Sequence, residues 1–193
     1  VSSNTAVASC GRFANVALTK IGSPYVIAEF AKLAKDYRRI AGFEANGGFL
    51  LGSDIELNGQ ALAALPTRDA VLPFLMLLAA AGKGPISPLV ARLPQRYTHS
   101  DRIKDFATER SQSMLSRGQE DMSYLLAQLG FQEVAVANVD MTDGLRITFA
   151  DGRIIHLRPS GNAPELRCYA ESNSAVSAQQ LVTQVLTNVH TVC

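Results

Sequence analysis

The chain has 193 residues, of which 47% are hydrophobic and 18% charged, and its formal net charge is +1. This composition is typical of a globular protein with one large or two small domains. A net charge this small gives no overall field to attract nucleic acid or an anionic membrane, so neither is expected as a partner. The three cysteines have no short regular spacing, which argues against a disulfide framework or structural zinc and favours the cytoplasm.

The first residues differ from a signal peptide, because they lack a positive charge followed by an apolar stretch, and no initiator methionine is present. Ser2, Ser3 and Asn4, followed by Thr5, resemble a turn that leads from a strand into a helix. The strand expected before that turn is absent. We therefore interpret the chain as beginning inside a fold, as a truncated or proteolysed protein would. A processed native N-terminus is the alternative.

Strand-like and helical stretches alternate over residues 1–94, which predicts an α/β layer with a mainly parallel sheet. The longest apolar run, residues 70–81, contains Pro73. It is too short to cross a bilayer of about 30 Å, so we expect a buried helix there. The other elements expected in this half are a helix that starts at Pro24 and continues through residues 28–35, and strands over residues 15–20, 39–44 and 49–51.

The second half has a different pattern. Apolar residues recur at helical spacing over residues 108–129, and Gly130 follows as a C-terminal cap. Asp143-Gly144 and Asp151-Gly152 lie between β-forming stretches, which indicates hairpin turns because glycine readily adopts the positive φ that tight turns need. The expected strands are residues 133–140, 145–149, 153–157 and 165–171, and a closing amphipathic helix covers residues 175–189.

A polar connector over residues 93–106 is expected between the two halves. We therefore predict an α/β domain over residues 1–98, which would be a truncated domain. A small α+β domain with a four-stranded antiparallel sheet would follow over residues 99–193.

The loop of residues 158–164, called the Arg158 loop below, combines groups that can surround a phosphate. Arg158 offers a bidentate fork, Ser160 and Asn162 offer neutral donors, and Gly161 lets backbone N–H groups approach closely. The same residues, with proline on either side, also make a good turn without any ligand. Local composition leaves both interpretations open.

The loop of residues 42–48, called the Glu44 loop below, places a carboxylate and an amide at a strand end. Glu44 and Asn46 can hydrogen-bond to sugar hydroxyls, and ligands in α/β sheets tend to lie at strand ends. The alternative is a tight Asn-Gly-Gly hairpin turn with a solvated Glu44.

Four segments in the same order resemble the α-D-phosphohexomutase family. RPSGNAPELRCY, residues 158–169, is similar to the phosphate-binding loop of the family's fourth domain, commonly R-x-S-x-T-E-P. GFEANGG, residues 42–48, occupies the place of its sugar-binding loop, commonly G-E-x-S-G-H. TKIGSPYVI, residues 19–27, and SDRIKDF, residues 100–106, are similar to the phosphomannomutase branch.

The resemblance implies a four-domain enzyme that moves a phosphoryl group between the 1- and 6-positions of a hexose phosphate. A phosphoserine and a bisphosphate intermediate would carry the group, and Mg²⁺ on a D-G-D-x-D-R loop would polarise it. This chain would hold part of the third domain and the fourth domain. The substrate would be a phosphosugar, and the remaining partner would be the missing N-terminal domains of the same protein.

The residues that the resemblance assigns are substrate-binding ones. The 3- and 4-hydroxyls of the sugar would be held by Glu44 and Asn46, with Lys20 as a weaker candidate. Asn46 and Gly48 replace the common Ser and His, and Asn162-Ala163 replaces Thr-Glu, which leaves the sugar preference in doubt. The distal phosphate would be held by Arg158, Ser160, Gly161 and Asn162.

Neither the family's serine motif nor its aspartate-rich motif occurs in the chain. We therefore expect no catalytic residue and no metal ligand here, and no mutase activity from the chain alone. A phosphoglucomutase, a dual-specific mutase and a non-catalytic phosphosugar-binding module remain alternatives to a phosphomannomutase. His99, His156 and His190 are too dispersed to form a ligand set, and Cys168 is expected to pack as a small hydrophobe.

Overall fold

A computed structural model of the protein describes residues 1–192 and divides them into two compact units. One unit runs from Ser3 to Pro94 and the other from Gln95 onward. The expected domain boundary at residues 98/99 falls within a strand of the second unit, Tyr97–Ile103. This strand occupies much of the segment that the sequence indicated to be a polar connector.

The first unit contains short helices and strands. Helix α2 has Pro24 in its first turn, as expected, because proline is preorganised for that position. Asn4 Oδ1 accepts a hydrogen bond from the Ala6 N–H at 2.8 Å in the turn that leads into the first helix. The elements of this unit are α1 (Ala6–Ser9), α2 (Ser23–Leu33), β1 (Ala41–Phe43), β2 (Phe49–Leu51), β3 (Ile55–Leu57), β4 (Gln60–Leu62), β5 (Leu65–Asp69), α3 (Val71–Ala81) and α4 (Ser87–Ala91).

The strand pairs of the first unit are antiparallel. The order β1-β2-β5 forms one sheet, and β3-β4 is a separate hairpin. The α/β character of this half is confirmed, but the expected mainly parallel arrangement is not found among the described residues. The turns between β1 and β2 and between β3 and β4 are short and can connect only antiparallel neighbours, and β5 pairs antiparallel with β2 after the β3-β4 hairpin. Residues 15–20, expected as a strand, form none.

The core of the first unit is small. Phe30, Ile40 and Leu50 are buried together, and Val26 and Leu33 pack against them. Helix α3 forms where the apolar run predicted it and ends at Gly82 with φ 59°. It is not the buried helix expected from its sequence, because none of its residues is buried within the described chain. No helix in residues 1–192 has the length and apolarity that spanning a membrane requires.

The second unit is built on a five-stranded antiparallel sheet of order β6-β10-β9-β8-β7. Gly144 and Gly152 adopt φ values of 90° and 81° in the two turns, which confirms the hairpins expected at the Asp-Gly pairs. The elements are β6 (Tyr97–Ile103), α5 (Thr108–Glu120), α6 (Met122–Gln128), β7 (Val136–Asp140), β8 (Leu145–Phe149), β9 (Ile154–Pro159), β10 (Leu166–Ser172) and α7 (Ala175–Asn188).

The fifth strand, β6, was missed because it lies at the sheet edge. Most of its residues are exposed, so it needs no apolar alternation, and its sequence YTHSDRI is polar. Its backbone nevertheless pairs with β10 from Tyr97↔Ser172 to Ile103↔Leu166. The predicted meander of four strands is therefore confirmed, with one more strand beside it.

The helix expected over residues 108–129 is divided at Asp121. The Asp121 side chain accepts from the Tyr124 N–H at 2.8 Å and caps the N-terminus of α6. Helix packing covers one face of the sheet, since alternate strand residues such as Leu145, Ile147 and Leu157 are fully buried in the main core. The opposite face carries the polar residues of the strands, and the Arg158 loop follows β9 at one end of the sheet.

Candidate functional site

Arg158 lies near the end of β9 and is held by a carboxylate from the neighbouring hairpin. Its Nε donates to Oδ2 of Asp143 at 2.7 Å, and each side chain is only 17% exposed. Asp143 stands in the turn before β8, and Gly144 lies so close to Leu157 and Arg158 that a Cβ there would meet their backbone. The tight turn therefore brings the Asp143 carboxylate to Arg158.

Backbone hydrogen bonds close the Arg158 loop. The Ser160 N–H donates to the Glu165 carbonyl at 2.8 Å, and the Phe106 N–H donates to the Pro164 carbonyl at 2.8 Å. Within the loop, the Asn162 N–H lies 3.4 Å from Ser160 Oγ. Ser160 is buried and Asn162 is exposed. The structure thus brings Ser160 and Asn162 together in one turn, while Arg158 is engaged by Asp143.

Gly161 stands at the exposed tip of this loop. A Cβ built on it would meet no other atom within 4 Å, and its φ lies outside the left-handed region that favours glycine. The fold of the unit therefore does not require glycine at this position. The absence of a side chain leaves the backbone of the loop accessible from outside.

A row of three arginines crosses the sheet beside this loop, and the sequence interpretation did not include two of them. Arg158 is paired in register with Arg167 on β10, which is paired with Arg102 on β6. Directly opposed residues point to the same face of a sheet. Glu165 lies 3.6 Å from both Arg102 and Arg167, and Arg167 Nε is buried with no hydrogen-bond partner among the described residues.

His156 has a structural role, because it links β9 to the turn that contains Asp143. Its Nε2 lies 2.6 Å from the Asp143 carbonyl, and its ring stacks on Tyr169 with centroids 5.5 Å apart. Burial lowers the pKa of His156, and the Asp143 carbonyl opposes this only in part. The neutral ring therefore carries its proton on Nε2, and this N–H donates a hydrogen bond to the Asp143 carbonyl. His156 and Arg158 thus both hydrogen-bond from β9 to Asp143 and hold its turn against this strand.

The Glu44 loop forms the tight turn that its Asn-Gly-Gly sequence indicated. The Glu44 N–H donates to the Gly48 carbonyl at 2.8 Å, and the Gly47 N–H donates to the Glu44 carbonyl at 2.9 Å. Asn46 Oδ1 accepts from the Gly48 N–H at 3.0 Å. Gly47 has φ 93°, a conformation that favours glycine. One oxygen of Asn46 is therefore used inside the turn.

Glu44 is not the solvated carboxylate of a simple turn, because its side chain is only 8% exposed. Its Oε2 accepts from Ser23 Oγ at 2.8 Å and forms an ion pair with Arg68, whose Nε lies 3.0 Å away. Arg68 Nε also lies 3.0 Å from Ser23 Oγ. Neither Ser23 nor Arg68 was singled out from the sequence, since only the fold brings them to the Glu44 loop.

Lys20 is exposed in the first unit, with Nζ 5.9 Å from the centre of the Tyr25 ring. None of its contacts given by the structure joins it to the Glu44 loop. Its role as a weaker substrate-binding candidate stays a prediction.

Cys168 is fully buried, as expected, and burial raises its pKa to about 12. Residues 1–192 contain no group of three or more His, Cys, Asp or Glu side chains that could hold a metal ion.

Comparison with known proteins identifies the second unit. Residues 121–188 match the family described as phosphoglucomutase/phosphomannomutase, C-terminal domain. This segment contains the Arg158 loop, Asp143, His156 and Arg167. It begins with the N-cap residue of α6 and ends with the last residue of α7.

Relatives extend the similarity over nearly the whole chain. A phosphomannomutase of Salmonella muenchen is 53% identical over 98% of this chain and 40% of its own length. A phosphomannomutase of Sinorhizobium fredii is 45% identical over 89% of this chain and 36% of its own length. The chain thus spans well under half the length of these relatives.

A solved structure shows the same fold at low sequence identity. A phosphoglucomutase/phosphomannomutase family protein from Burkholderia thailandensis superposes with a TM-score of 0.57, 15% identity and coverage of 89% of this chain and 31% of that one. The likeness of the fold agrees with the sequence relationships. The chain belongs to the phosphohexomutase family, and its second unit carries the C-terminal domain of that family.

Proposed function

We propose that this chain is the substrate-binding C-terminal part of a phosphomannomutase, which interconverts mannose 6-phosphate and mannose 1-phosphate. Its own task would be to hold the sugar hydroxyls and the phosphate that is not being transferred. The observation that carries the proposal is the position of Arg158 in the C-terminal domain, at the start of the loop that resembles the family's phosphate-binding loop. Both relatives named above are called phosphomannomutases.

The Arg158 loop supports the phosphate-binding role by its chemistry. Asp143 engages Nε of Arg158, and a guanidinium has two further nitrogens that can form a fork on a phosphate. Gly161 leaves the loop backbone open, so its N–H groups can approach an anion. We propose that Arg158, Ser160, Gly161 and Asn162 bind the distal phosphate. Arg167, in the same cross-strand row, adds positive charge.

The Glu44 loop supports the sugar-binding role. Ionised Glu44 can accept hydrogen bonds from two hydroxyls, and the Ser23 hydrogen bond and the Arg68 ion pair that the structure gives it both involve Oε2. Asn46 retains its amide N–H groups as donors, because its contact in the turn uses Oδ1. We propose that Glu44 and Asn46 bind the 3- and 4-hydroxyls of the sugar, with Lys20 as an additional, weaker contact.

Phosphoryl transfer depends on positioning and on stabilising the charge of the transferring group. The residues of this chain would supply positioning. The phosphoserine and Mg²⁺ would belong to the complete protein. The described residues do not fit a magnesium site, since they include no suitable cluster of ligands, so no step of the reaction is assigned to a metal on this chain.

A dual-specific mutase is the second candidate, because the matching family is described by both phosphoglucomutase and phosphomannomutase. The 3- and 4-hydroxyls have the same stereochemistry in glucose and mannose, so the Glu44 contacts proposed here would not separate the two sugars. A non-catalytic phosphosugar-binding module would use the same two loops without turnover.

An assay of the full-length gene product tests these proposals. With Mg²⁺ and glucose 1,6-bisphosphate present, mannose 1-phosphate and glucose 1-phosphate would be supplied separately, and phosphorus NMR would follow the 6-phosphates. Turnover of mannose 1-phosphate supports the phosphomannomutase, and comparable turnover of both supports the dual-specific enzyme. Binding of either sugar phosphate without turnover would instead establish the non-catalytic module.

A further inference from the structure

The side chain of Arg68 fills the space beside the Gly48 backbone. A Cβ built on Gly48 would lie 2.8 Å from Arg68 Cδ and 2.9 Å from Arg68 Cγ, closer than carbon atoms can approach without a shift. The φ of Gly48 lies outside the left-handed region, so the turn itself does not require glycine here. The requirement comes mainly from Arg68, because the next atom near this Cβ, Glu44 Oε2, lies at 3.2 Å.

Strand pairing explains how these two residues meet. Phe49 at the start of β2 is paired antiparallel with Asp69 at the end of β5, so Gly48 and Arg68 are diagonal neighbours across the two strands, a separation that a long side chain can span. Asp69 also accepts from the Val71 N–H at 2.7 Å, which joins this strand end to the start of α3. Arg68 therefore comes from β5, the strand beside β2, near the end of β2 that follows the Glu44 loop.

The guanidinium that occupies this space contacts the carboxylate proposed to bind sugar. Arg68 Nε lies 3.0 Å from Glu44 Oε2 and 3.0 Å from Ser23 Oγ, and Ser23 Oγ donates to the same carboxylate oxygen at 2.8 Å. The Ser23 hydroxyl donates to Oε2 and itself accepts from the Arg68 Nε–H, and together with the Arg68 ion pair it fixes the rotation of the carboxylate. Oε1 is then the oxygen directed by this arrangement to accept from a ligand, as far as the contacts of the described residues show.

We propose that Arg68 is a positioning residue for Glu44, and that Gly48 is matched to it because any side chain at position 48 would displace Arg68. The proposal rests on the proposed sugar-binding function of the Glu44 loop.

A set of coupled variants of the full-length gene product tests this. Arg68→Ala is expected to raise the KM for mannose 1-phosphate about fivefold, the upper range for one exposed ion pair, while kcat stays within about twofold because Arg68 touches no reacting atom. Gly48→Ala is expected to have a similar effect, since its Cβ displaces Arg68. The exposed Arg39 of the same unit provides the control variant, Arg39→Ala.

The combined variants distinguish positioning from an independent contact. If Arg68 acts through Glu44, Arg68→Ala adds less than about twofold to the KM of Glu44→Gln, and Gly48→Ala adds less than about twofold to the KM of Arg68→Ala. Multiplicative effects in both pairs overturn the proposal, as does an unchanged KM in Arg68→Ala. Should Arg68→Ala not fold, Arg68→Lys takes its place, because lysine keeps the charge but lacks the guanidinium fork.

Measuring binding to the wild-type protein distinguishes a failure of the proposed function from a failure of the proposed role of Arg68. Wild-type protein that binds neither mannose 1-phosphate nor glucose 1-phosphate refutes the proposed function, and the role of Arg68 with it. Wild-type protein that binds a sugar phosphate, together with an Arg68→Ala variant that binds it equally well, refutes the role of Arg68 alone.

Discussion

Arg158 and Asp143 form an ion pair 2.7 Å long between the end of one strand and the turn before its neighbour. Both side chains are largely shielded from water, and the backbone carbonyl of Asp143 is held in addition by His156. The guanidinium is therefore fixed before any ligand arrives. Preorganisation of this kind reduces the entropy lost when a ligand is bound.

Replacing Arg158 by Ala in the full-length enzyme is expected mainly to raise KM. The loss of a charge-assisted hydrogen bond costs about 1.5–3 kcal/mol, or roughly 10- to 150-fold in KM. Steady-state kinetics with mannose 1-phosphate measures this. Arg153→Ala is a matched control, because Arg153 also pairs with an aspartate at a hairpin turn, Asp151, at 2.7 Å. Equal kinetics of wild type and Arg158→Ala would leave the Arg158 loop as a turn without a ligand.

Asp143 is expected to affect KM through Arg158. Asp143→Ala frees the guanidinium and should raise KM about fivefold, a typical upper value for a lost ion pair. Asp143→Asn keeps an oxygen that can accept from Arg158 Nε, so its KM should lie closer to wild type. Thermal unfolding of both variants shows whether the hairpin is retained. A larger KM for Asp143→Asn than for Asp143→Ala would contradict a positioning role.

Glu44→Gln is expected to weaken mannose and glucose phosphates by similar factors. The 3- and 4-hydroxyls that Glu44 is proposed to bind have the same stereochemistry in both sugars, and the loss of one charged acceptor costs about 1.5–3 kcal/mol. Titration calorimetry with mannose 1-phosphate and glucose 1-phosphate measures both affinities. A variant that loses affinity for one sugar only would show that Glu44 contacts another part of the ligand.

The free energy of unfolding of the chain is expected to decrease as the pH is lowered, because of the buried His156. Burial lowers the pKa of this histidine in the folded chain, so below the unfolded value of about 6.5 the unfolded chain binds more protons than the folded one. Its contribution to stability is complete above that value and is lost as the pH falls through it. Melting temperatures between pH 7.5 and 5.5 should therefore decrease more in wild type than in His156→Gln. Parallel curves would place the titration elsewhere.

The chain by itself is expected to have no mutase activity. Neither the serine motif nor the D-G-D-x-D-R motif occurs in its sequence, and single catalytic groups are worth roughly 10²–10⁴-fold each. Mannose 1-phosphate should bind weakly, on the order of 1 mM, because only part of the contacts is present. Phosphorus NMR of the purified chain with Mg²⁺ and glucose 1,6-bisphosphate checks this, with heat-treated protein as control. Turnover at an enzyme-like rate would refute it.

Local signals were sufficient for much of the second unit. The Asp-Gly pairs, the alternation of Leu145 and Ile147, and the cap at Gly130 each specify a structure within a few residues, and the meander follows from them. Strand β6 could not be found in this way, since an edge strand with exposed residues needs no apolar pattern. The antiparallel pairing in the first unit also depends on which strands meet, which the alternation of elements does not encode.

The candidate site likewise contains residues that a local sequence motif predicts and residues that only strand pairing brings together. Arg158, Ser160 and Asn162 are close in sequence, so their shared loop was visible as a motif. Arg167 and Arg102 lie beside Arg158 only through the pairing of three strands. Register is a tertiary property, and no short window of sequence contains it.

The exposed helix α3 has a practical consequence for these measurements. Its apolar residues, including Val71, Phe74 and Leu75, are each more than half exposed, and exposed apolar surface promotes self-association. Sulfate and phosphate strengthen that tendency, because they are excluded from protein surfaces. The same anions would also compete for the Arg158 loop. In buffers that contain them, aggregation and competition would both lower the apparent affinity, so chloride solutions at low protein concentration give the cleaner titration.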